Sequence, residues 1–232
     1  MKYEKALWRP ITTNHRKGRT RGAATVQAFV CHSQEGYGSL FTLFNNPARR
    51  ASTHFWIAKT GQVEQYVDTA DTAWGNGERN RSGGPDARIP WAAAAYAAAA
   101  VNDVTVSCEL EGRAGEPMTP EQKTAALLLL RWVHERHGLG QPVRHLTVVE
   151  HNQLSATACP SSRWPIDELL APSAEIPVPP GSEVAAALAF WYPGLPADSA
   201  LARFINQTIL NDINQFAPSL LADRGPGGEV AA

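Results

Sequence analysis

A short stretch near residue 150 restricts the fold more than any other part of the chain. Residues 146–149 form an apolar run typical of a short buried strand, and His151 stands at its exit. Cys159 follows eight residues later and precedes a proline. Imidazole and thiolate are preferred zinc ligands in proteins. Because one histidine and one cysteine make only half of a tetrahedral site, the fold has to bring further ligands to the end of this strand.

A second apolar run offers the missing ligand. Residues 25–31 predict a buried strand, and His32 ends it. Functional side chains commonly gather at strand ends on a rigid sheet, so His32, His151 and Cys159 are expected to meet there. Three protein ligands with a fourth place left for water are typical of a catalytic zinc ion rather than a structural one.

A carboxylate lies inside a third apolar strand, predicted over residues 104–110. Burying a charged group is costly unless it has a partner or a task, so Glu109 is the candidate base for a water molecule at the zinc ion. Glu111 faces the same side but lies closer to the strand's end, where solvation is expected. Thr157 has two interpretations: its hydroxyl group stabilises an oxyanion, or it hydrogen-bonds within its own loop.

Two further patterns predict local structure with defined boundaries. Residues 54–58 and 62–67 flank Lys59-Thr60-Gly61 and predict a β-hairpin. Thr119-Pro120-Glu121-Gln122 predicts the start of a helix with a capping box. The helix is expected to end at Gly138 and to pack its apolar stripe on the sheet.

Four segments are expected along the chain. Residues 1–23 form an irregular N-terminal arm, 24–171 the main domain, 172–182 a proline-rich linker and 183–232 a helical tail. The basic residues of the arm are either solvated or attracted to an acidic polymer. The tail is too short for a secure core of its own, so it packs on the main domain, pairs with another copy or binds a partner.

Composition excludes several classes of protein. The formal net charge of −1 gives no indication of nucleic acid or an anionic membrane as partner. No apolar stretch approaches the roughly 20 residues that span a bilayer. The N-terminus lacks the apolar centre of a secretory signal, and three cysteines argue against a disulfide framework, so we expect synthesis in the cytoplasm.

Five separated motifs together resemble one enzyme family. These are His32, the Ser52-Thr53-His54-Phe55 run, Ala73-Trp74, the Glu109–Gly112 run and the His151 to Pro160 stretch. In this order they resemble the zinc-dependent N-acetylmuramoyl-L-alanine amidases, the type 2 amidases that include phage lysins, bacterial recycling amidases and animal peptidoglycan-recognition proteins. The resemblance covers about residues 24–170. It implies an α/β fold, with a central mixed β-sheet flanked by helices, to which the small helical tail is added.

The resemblance also implies roles for individual residues. It assigns the zinc ligands to His32, His151 and Cys159, and the catalytic glutamate to Glu109. Thr157 replaces a lysine that many members carry.

The resemblance further suggests a substrate groove. Thr53 occupies the position of a tyrosine that some members use near the zinc ion, so that role is absent here. His54 either lines the groove or packs beneath the site. Trp74, Asn76 and Arg79 are candidates for groove walls, although Trp74 has the alternative of capping the core.

The implied reaction is hydrolysis of the amide bond between N-acetylmuramic acid and L-alanine in peptidoglycan. The expected setting is a phage endolysin that reaches the wall of its host with the help of a holin-type release protein. A cytoplasmic wall-recycling amidase is the nearest alternative. A non-catalytic peptidoglycan receptor is a second one, but such relatives typically lose the cysteine ligand. A structural zinc domain would need a fourth ligand, and the spare thiols of Cys31 and Cys108 are expected to face the core.

Overall fold

A computed structural model describes residues 1–19, 25–77 and 84–171. Its strands are β1 (Leu7–Trp8), β2 (His15–Arg16), β3 (Ala28–Ser33), β4 (Phe55–Ile57), β5 (Val63–Gln65), β6 (Thr72–Ala73), β7 (Thr105–Leu110) and β8 (Val148–Glu150). Its α-helices are α1 (Phe41–Phe44), α2 (Ala92–Ala97), α3 (Pro120–His137), α4 (His151–Leu154) and α5 (Ile166–Leu170), and a 3-10 helix spans Pro47–Arg49. These elements lie within the compact unit Met1–Leu170.

Six strands form one mixed sheet in the order β1-β5-β4-β7-β3-β8, and β2 pairs with β6 separately. The central strand β3 runs parallel to both β7 and β8, and β4 runs parallel to β7. The predicted hairpin is present, because β4 and β5 pair antiparallel across the loop around Gly61. The central mixed sheet flanked by helices confirms the expected fold class.

Alternating side chains of the strands separate into two apolar layers. On one face, Phe29, Cys31, Phe55, Val106 and Cys108 pack in one cluster with residues of α3 and α5. On the other face, Ala28, Val30 and Val149 pack with residues of α2 and with Leu154 of α4. Cys31 and Cys108 are fully buried free thiols on the α3 face, as expected.

Local signals in the sequence set both ends of α3. Thr119 Oγ1 accepts a hydrogen bond from the backbone N–H of Gln122, and the Gln122 side chain accepts one from the N–H of Thr119. The helix ends at Gly138, whose φ of 65° lies in the left-handed region that glycine adopts without strain. Both ends agree with the prediction.

The N-terminal residues differ from the expected irregular arm. Tyr3 is buried and contacts the rings of Phe55 and Trp132. Strand β1 pairs parallel with β5 and covers the edge that β5 would otherwise expose. The basic composition suggested a solvated segment, but Tyr3 and Ile11 are buried, and Arg16 and Lys17 form ion pairs with Asp103 and Asp71 of the domain.

Residues 172–182 and 183–232, expected to form the linker and tail, lie outside the described residues. No α-helix in the described ranges is both long and apolar enough to cross a membrane.

Candidate metal centre and active site

Three neighbouring strands carry the candidate site to one edge of the sheet. His32 lies in β3, directly opposite Glu109 of β7 in the strand register. His151 is the first residue of α4, immediately after β8, and Cys159 lies in the loop that follows. Because β3 runs parallel to β7 and β8, the carboxyl ends of all three strands meet, and their side chains with them.

The side chains of His32, His151 and Cys159 converge. One potential ligand atom from each lies within 4.8 Å of the other two. Cys159 Sγ is 3.7 Å from His32 Nδ1, and the two imidazole ring centres are 4.3 Å apart. Two imidazoles and one sulfur atom suit a zinc ion in chemical type, and three ligands leave a coordination place open.

The ionisation of the two histidines suits metal binding. Burial, followed by the neighbouring His151, holds the pKa of His32 well below its usual range. Burial lowers the pKa of His151 to about 4. Both rings are therefore neutral at physiological pH, and a neutral imidazole nitrogen is what a metal ion binds.

Cys159 is held as a thiol in the absence of a cation. Burial and the nearby Glu109 raise the pKa of Cys159 to about 12. The backbone N–H of Ser33 donates to its Sγ at 3.2 Å and favours the thiolate, but it offsets only part of this effect. Binding of a metal ion would release the thiol proton, so metal affinity is expected to rise with pH.

Glu109 contributes a buried carboxyl group beside these atoms. Its Oε1 lies 3.8 Å from His32 Nδ1, and its side chain is 16% exposed. Its Oε2 is buried and has no hydrogen-bond partner among the described residues. Burial, with a smaller effect of Glu35, raises the pKa of Glu109 to about 8. Such an unsatisfied group at a polar site is typical of a functional residue.

A cavity of about 830 Å³ opens beside His151. Its lining includes Arg50, Trp74, Asn102, His151 and Thr157. The Trp74 side chain forms part of the wall and is 36% exposed, which agrees with the first of its two interpretations. Thr157 Oγ1 accepts a hydrogen bond from the N–H of Cys159 at 3.1 Å. This is the loop contact that was one alternative, but it leaves the hydroxyl proton available for a ligand in the cavity.

His54 and Asn76 are buried, which for His54 agrees with the second of its two interpretations and for Asn76 differs from the expected wall. His54 is 1% exposed, and its Nδ1 accepts a hydrogen bond from the N–H of Ser107, so it packs beneath the site. Asn76 is 2% exposed, and its Oδ1 contacts His32 Nε2 at 2.8 Å, so its side chain supports a candidate ligand rather than forming a wall. Arg79 lies outside the described residues.

Arg50, an exposed residue that lines the cavity, was not among the predicted site residues. The available signal was a cationic pair, Arg49-Arg50, shortly before the Ser52–Phe55 motif.

Comparison with known proteins identifies the family. The family model described as N-acetylmuramoyl-L-alanine amidase matches residues 14–162. The chain therefore belongs to the N-acetylmuramoyl-L-alanine amidase family, and this membership supports amidase activity on peptidoglycan. No curated protein matches the chain.

Three solved structures are similar to this chain at low sequence identity. The endolysin N-acetylmuramoyl-L-alanine amidase LysCS from Clostridium intestinale URNW is 15% identical, with a TM-score of 0.50 over 72% of this chain and 94% of that one. LysC, from the same organism, is 15% identical, with a TM-score of 0.48 over 72% and 95%. A selenomethionine derivative of AmpD is 18% identical, with a TM-score of 0.49 over 66% and 84%.

Proposed function

We propose that this chain is a zinc-dependent amidase that cleaves the bond between N-acetylmuramic acid and L-alanine in peptidoglycan. One observation carries the proposal. Ligand atoms of His32, His151 and Cys159 lie within 4.8 Å of one another, near the unsatisfied carboxyl group of Glu109, and His151 also lines a cavity. Family membership supports the reaction class.

The donor set fits a zinc ion held by His32, His151 and Cys159. Two neutral imidazoles and one thiolate would leave one unit of positive charge on the bound ion. When bound, zinc would polarise the scissile carbonyl group and lower the pKa of a water molecule towards about 7. A structural site would need a fourth protein ligand, and the metal-binding group found within the described ranges has three members.

Glu109 is the proposed general base. Its carboxylate accepts a proton from the attacking water and then donates that proton to the nitrogen of the leaving L-alanine. Burial raises the pKa of Glu109 to about 8 in the metal-free protein, and the positive charge of a bound zinc ion would lower this pKa and favour the carboxylate form that a base requires. General acid–base catalysis of this kind typically contributes about 10²- to 10⁴-fold.

Thr157 is the proposed oxyanion donor. Its oxygen already accepts the N–H of Cys159, which fixes the position of the hydroxyl group next to a candidate metal ligand. The free proton can then be donated to the oxygen of the scissile carbonyl group as negative charge develops there.

The cavity walls suit a substrate with an apolar face and an acidic group. Trp74 offers a flat surface for a sugar ring or a peptide, and the cation of Arg50 attracts a carboxylate. A peptidoglycan stem peptide carries carboxylates, which agrees with the proposed substrate.

As biological role we propose lysis of a host cell by a phage endolysin that depends on a holin-type release protein. Recycling of wall fragments is the alternative. The two roles differ in substrate, because lysis requires cleavage within intact walls whereas recycling acts on small muropeptides released from them.

The test is digestion of purified intact walls and of isolated muropeptides, with products identified by mass spectrometry. Zinc-loaded wild-type protein is expected to release stem peptides that begin with L-alanine. Glu109→Gln should lose this activity, because an amide has no basic oxygen to accept the proton. Glu111→Gln is the matched control, since Glu111 Oε1 and Oε2 accept hydrogen bonds from the N–H groups of Gly38 and Lys59 instead.

Binding of walls without any product would refute the amidase and favour a receptor. Cleavage of muropeptides but not of intact walls would refute the lytic role and favour recycling. Full activity in Glu109→Gln would refute the assignment of the base.

A further inference from the structure

Asn76 is a buried residue whose side chain contacts the candidate ligand His32. Its side-chain Oδ1 contacts His32 Nε2 at 2.8 Å. Its backbone carbonyl oxygen accepts a hydrogen bond from Ser155 Oγ. The residue itself is 2% exposed, and its own N–H donates to Asn102 Oδ1 at 2.9 Å. Asn76 is therefore fixed on several sides, as a residue that orients others has to be.

A chain of hydrogen bonds decides which way the Asn76 amide points. A backbone carbonyl oxygen can only accept, so the hydroxyl proton of Thr105 goes to the carbonyl oxygen of Val101, at 2.7 Å. Thr105 Oγ1 then has only acceptor capacity left. It accepts from Asn76 Nδ2 at 2.6 Å. With Nδ2 turned to Thr105, the acceptor Oδ1 faces His32.

This orientation determines the tautomer of His32. An amide oxygen accepts hydrogen bonds, so the proton of the neutral ring has to sit on Nε2. His32 Nδ1 then carries the free lone pair. That nitrogen is the one that faces Cys159 Sγ at 3.7 Å and Glu109 Oε1 at 3.8 Å. The lone pair therefore points to the place where a metal ion would bind.

The backbone of Asn76 is held in place as well. Ser155 Oγ donates to its carbonyl oxygen at 2.9 Å, which keeps the residue fixed beside His32.

We propose that Asn76 is a positioning residue that sets the tautomer of His32, so that this ring presents an unprotonated Nδ1 to a metal ion. The inference deepens the proposed function and rests on its metal site. Groups that orient metal-bound histidines typically change metal affinity about 10- to 100-fold when removed.

The first test needs no variant. In metal-free wild-type protein labelled with ¹⁵N, two-bond nitrogen–proton correlations distinguish the two neutral tautomers of an imidazole ring. The His32 signals are assigned by their loss in His32→Gln. The proton is expected on Nε2 of His32, and a proton on Nδ1 would overturn the proposal.

The second test measures zinc affinity by competition with a chromophoric chelator. Asn76→Ala leaves the backbone carbonyl oxygen but removes the acceptor for His32, so the dissociation constant should rise by about 10- to 100-fold. Asn76→Asp keeps an acceptor oxygen towards Nε2 and should restore most of the affinity. The control is Asn14, a buried amide elsewhere in the domain that is 5% exposed and donates hydrogen bonds to the carbonyl oxygens of Phe44 and Asn46. Asn14→Ala should lower the free energy of unfolding but leave zinc affinity unchanged.

The outcomes separate this inference from the proposed function. Unchanged zinc affinity in Asn76→Ala, or a loss in Asn76→Asp as large as in Asn76→Ala, would overturn the positioning role. Both measurements are made without substrate. A wild type with the expected tautomer and zinc affinity that fails to cleave peptidoglycan would therefore refute the amidase but support the role of Asn76.

Discussion

The buried side chain of Gln122 offers a quantitative test of how α3 is fixed to the sheet below the candidate site. Gln122 is 0% exposed and makes three side-chain contacts. Its Oε1 accepts from the N–H of Thr119 at 3.2 Å, and its Nε2 donates to the carbonyl oxygens of Glu111, at 3.0 Å, and Ile57, at 3.4 Å. Glu111 directly follows strand β7, and Ile57 is the last residue of strand β4. The side chain therefore ties the start of the helix to two strands.

Replacing Gln122 by Met nearly preserves the volume but removes all three contacts. A volume-conserving change costs less than about 1.5 kcal/mol in packing. Each lost hydrogen bond costs about 1 kcal/mol net, and the 3.4 Å contact less than that. We therefore expect Gln122→Met to lower the free energy of unfolding by about 2 to 4 kcal/mol.

The assay is urea unfolding of the chelator-treated protein, so that metal binding does not contribute to stability. Thr124→Ala is the control on the same helix: Thr124 is exposed, its hydroxyl group donates to the Pro120 carbonyl oxygen, and alanine is the better helix former. It should change the free energy by less than about 0.5 kcal/mol. A loss of under 1 kcal/mol in Gln122→Met would refute the account of α3 docking.

Three further predictions concern charge and chemistry. Burial lowers the pKa of His54 and of His134 in the folded state, as it does for His32, His137 and His151, so the unfolded state takes up these protons first. The raised pKa of Glu109 acts in the opposite direction, but it is one group against five. The free energy of unfolding of metal-free protein should therefore fall as pH drops from 7.5 to 5.5, and a rise would contradict this. Arg50→Ala should raise KM by about two- to fivefold, because an exposed ion pair with the substrate would be lost. Arg49→Ala serves as the control, and an equal rise of KM in both variants would argue against a specific contact of Arg50. Thr157→Val should lower kcat by about 10²- to 10³-fold, with recovery in Thr157→Ser, and a fully active Thr157→Val would exclude the oxyanion role.

The parts that the sequence predicted well depend on local signals or on strand ends. Thr119 and Gly138 mark the ends of α3 through capping contacts within a few residues. His32 and His151 were placed together because each follows an apolar run, and parallel strands present their carboxyl ends at one edge.

The parts that it missed depend on contacts between distant residues. Tyr3 packs with Trp132, and Leu7 pairs with Glu64, and no local pattern encodes either contact. The position of Asn76 likewise depends on Thr105, 29 residues away, so its neighbours in sequence gave no reason to expect it beneath His32.

The order of strands in the sheet has a consequence for folding kinetics. His32 lies on the inner strand β3. His151 and Cys159 follow β8, the edge strand beside β3, which comes last of the eight strands in the sequence. Cys159 and His32 are 127 residues apart. Contacts of such separation require closure of a long loop, which slows their formation relative to local structure. Tight zinc binding is therefore expected to appear only when β8 has docked, so a zinc-binding signal during refolding would time the completion of the sheet.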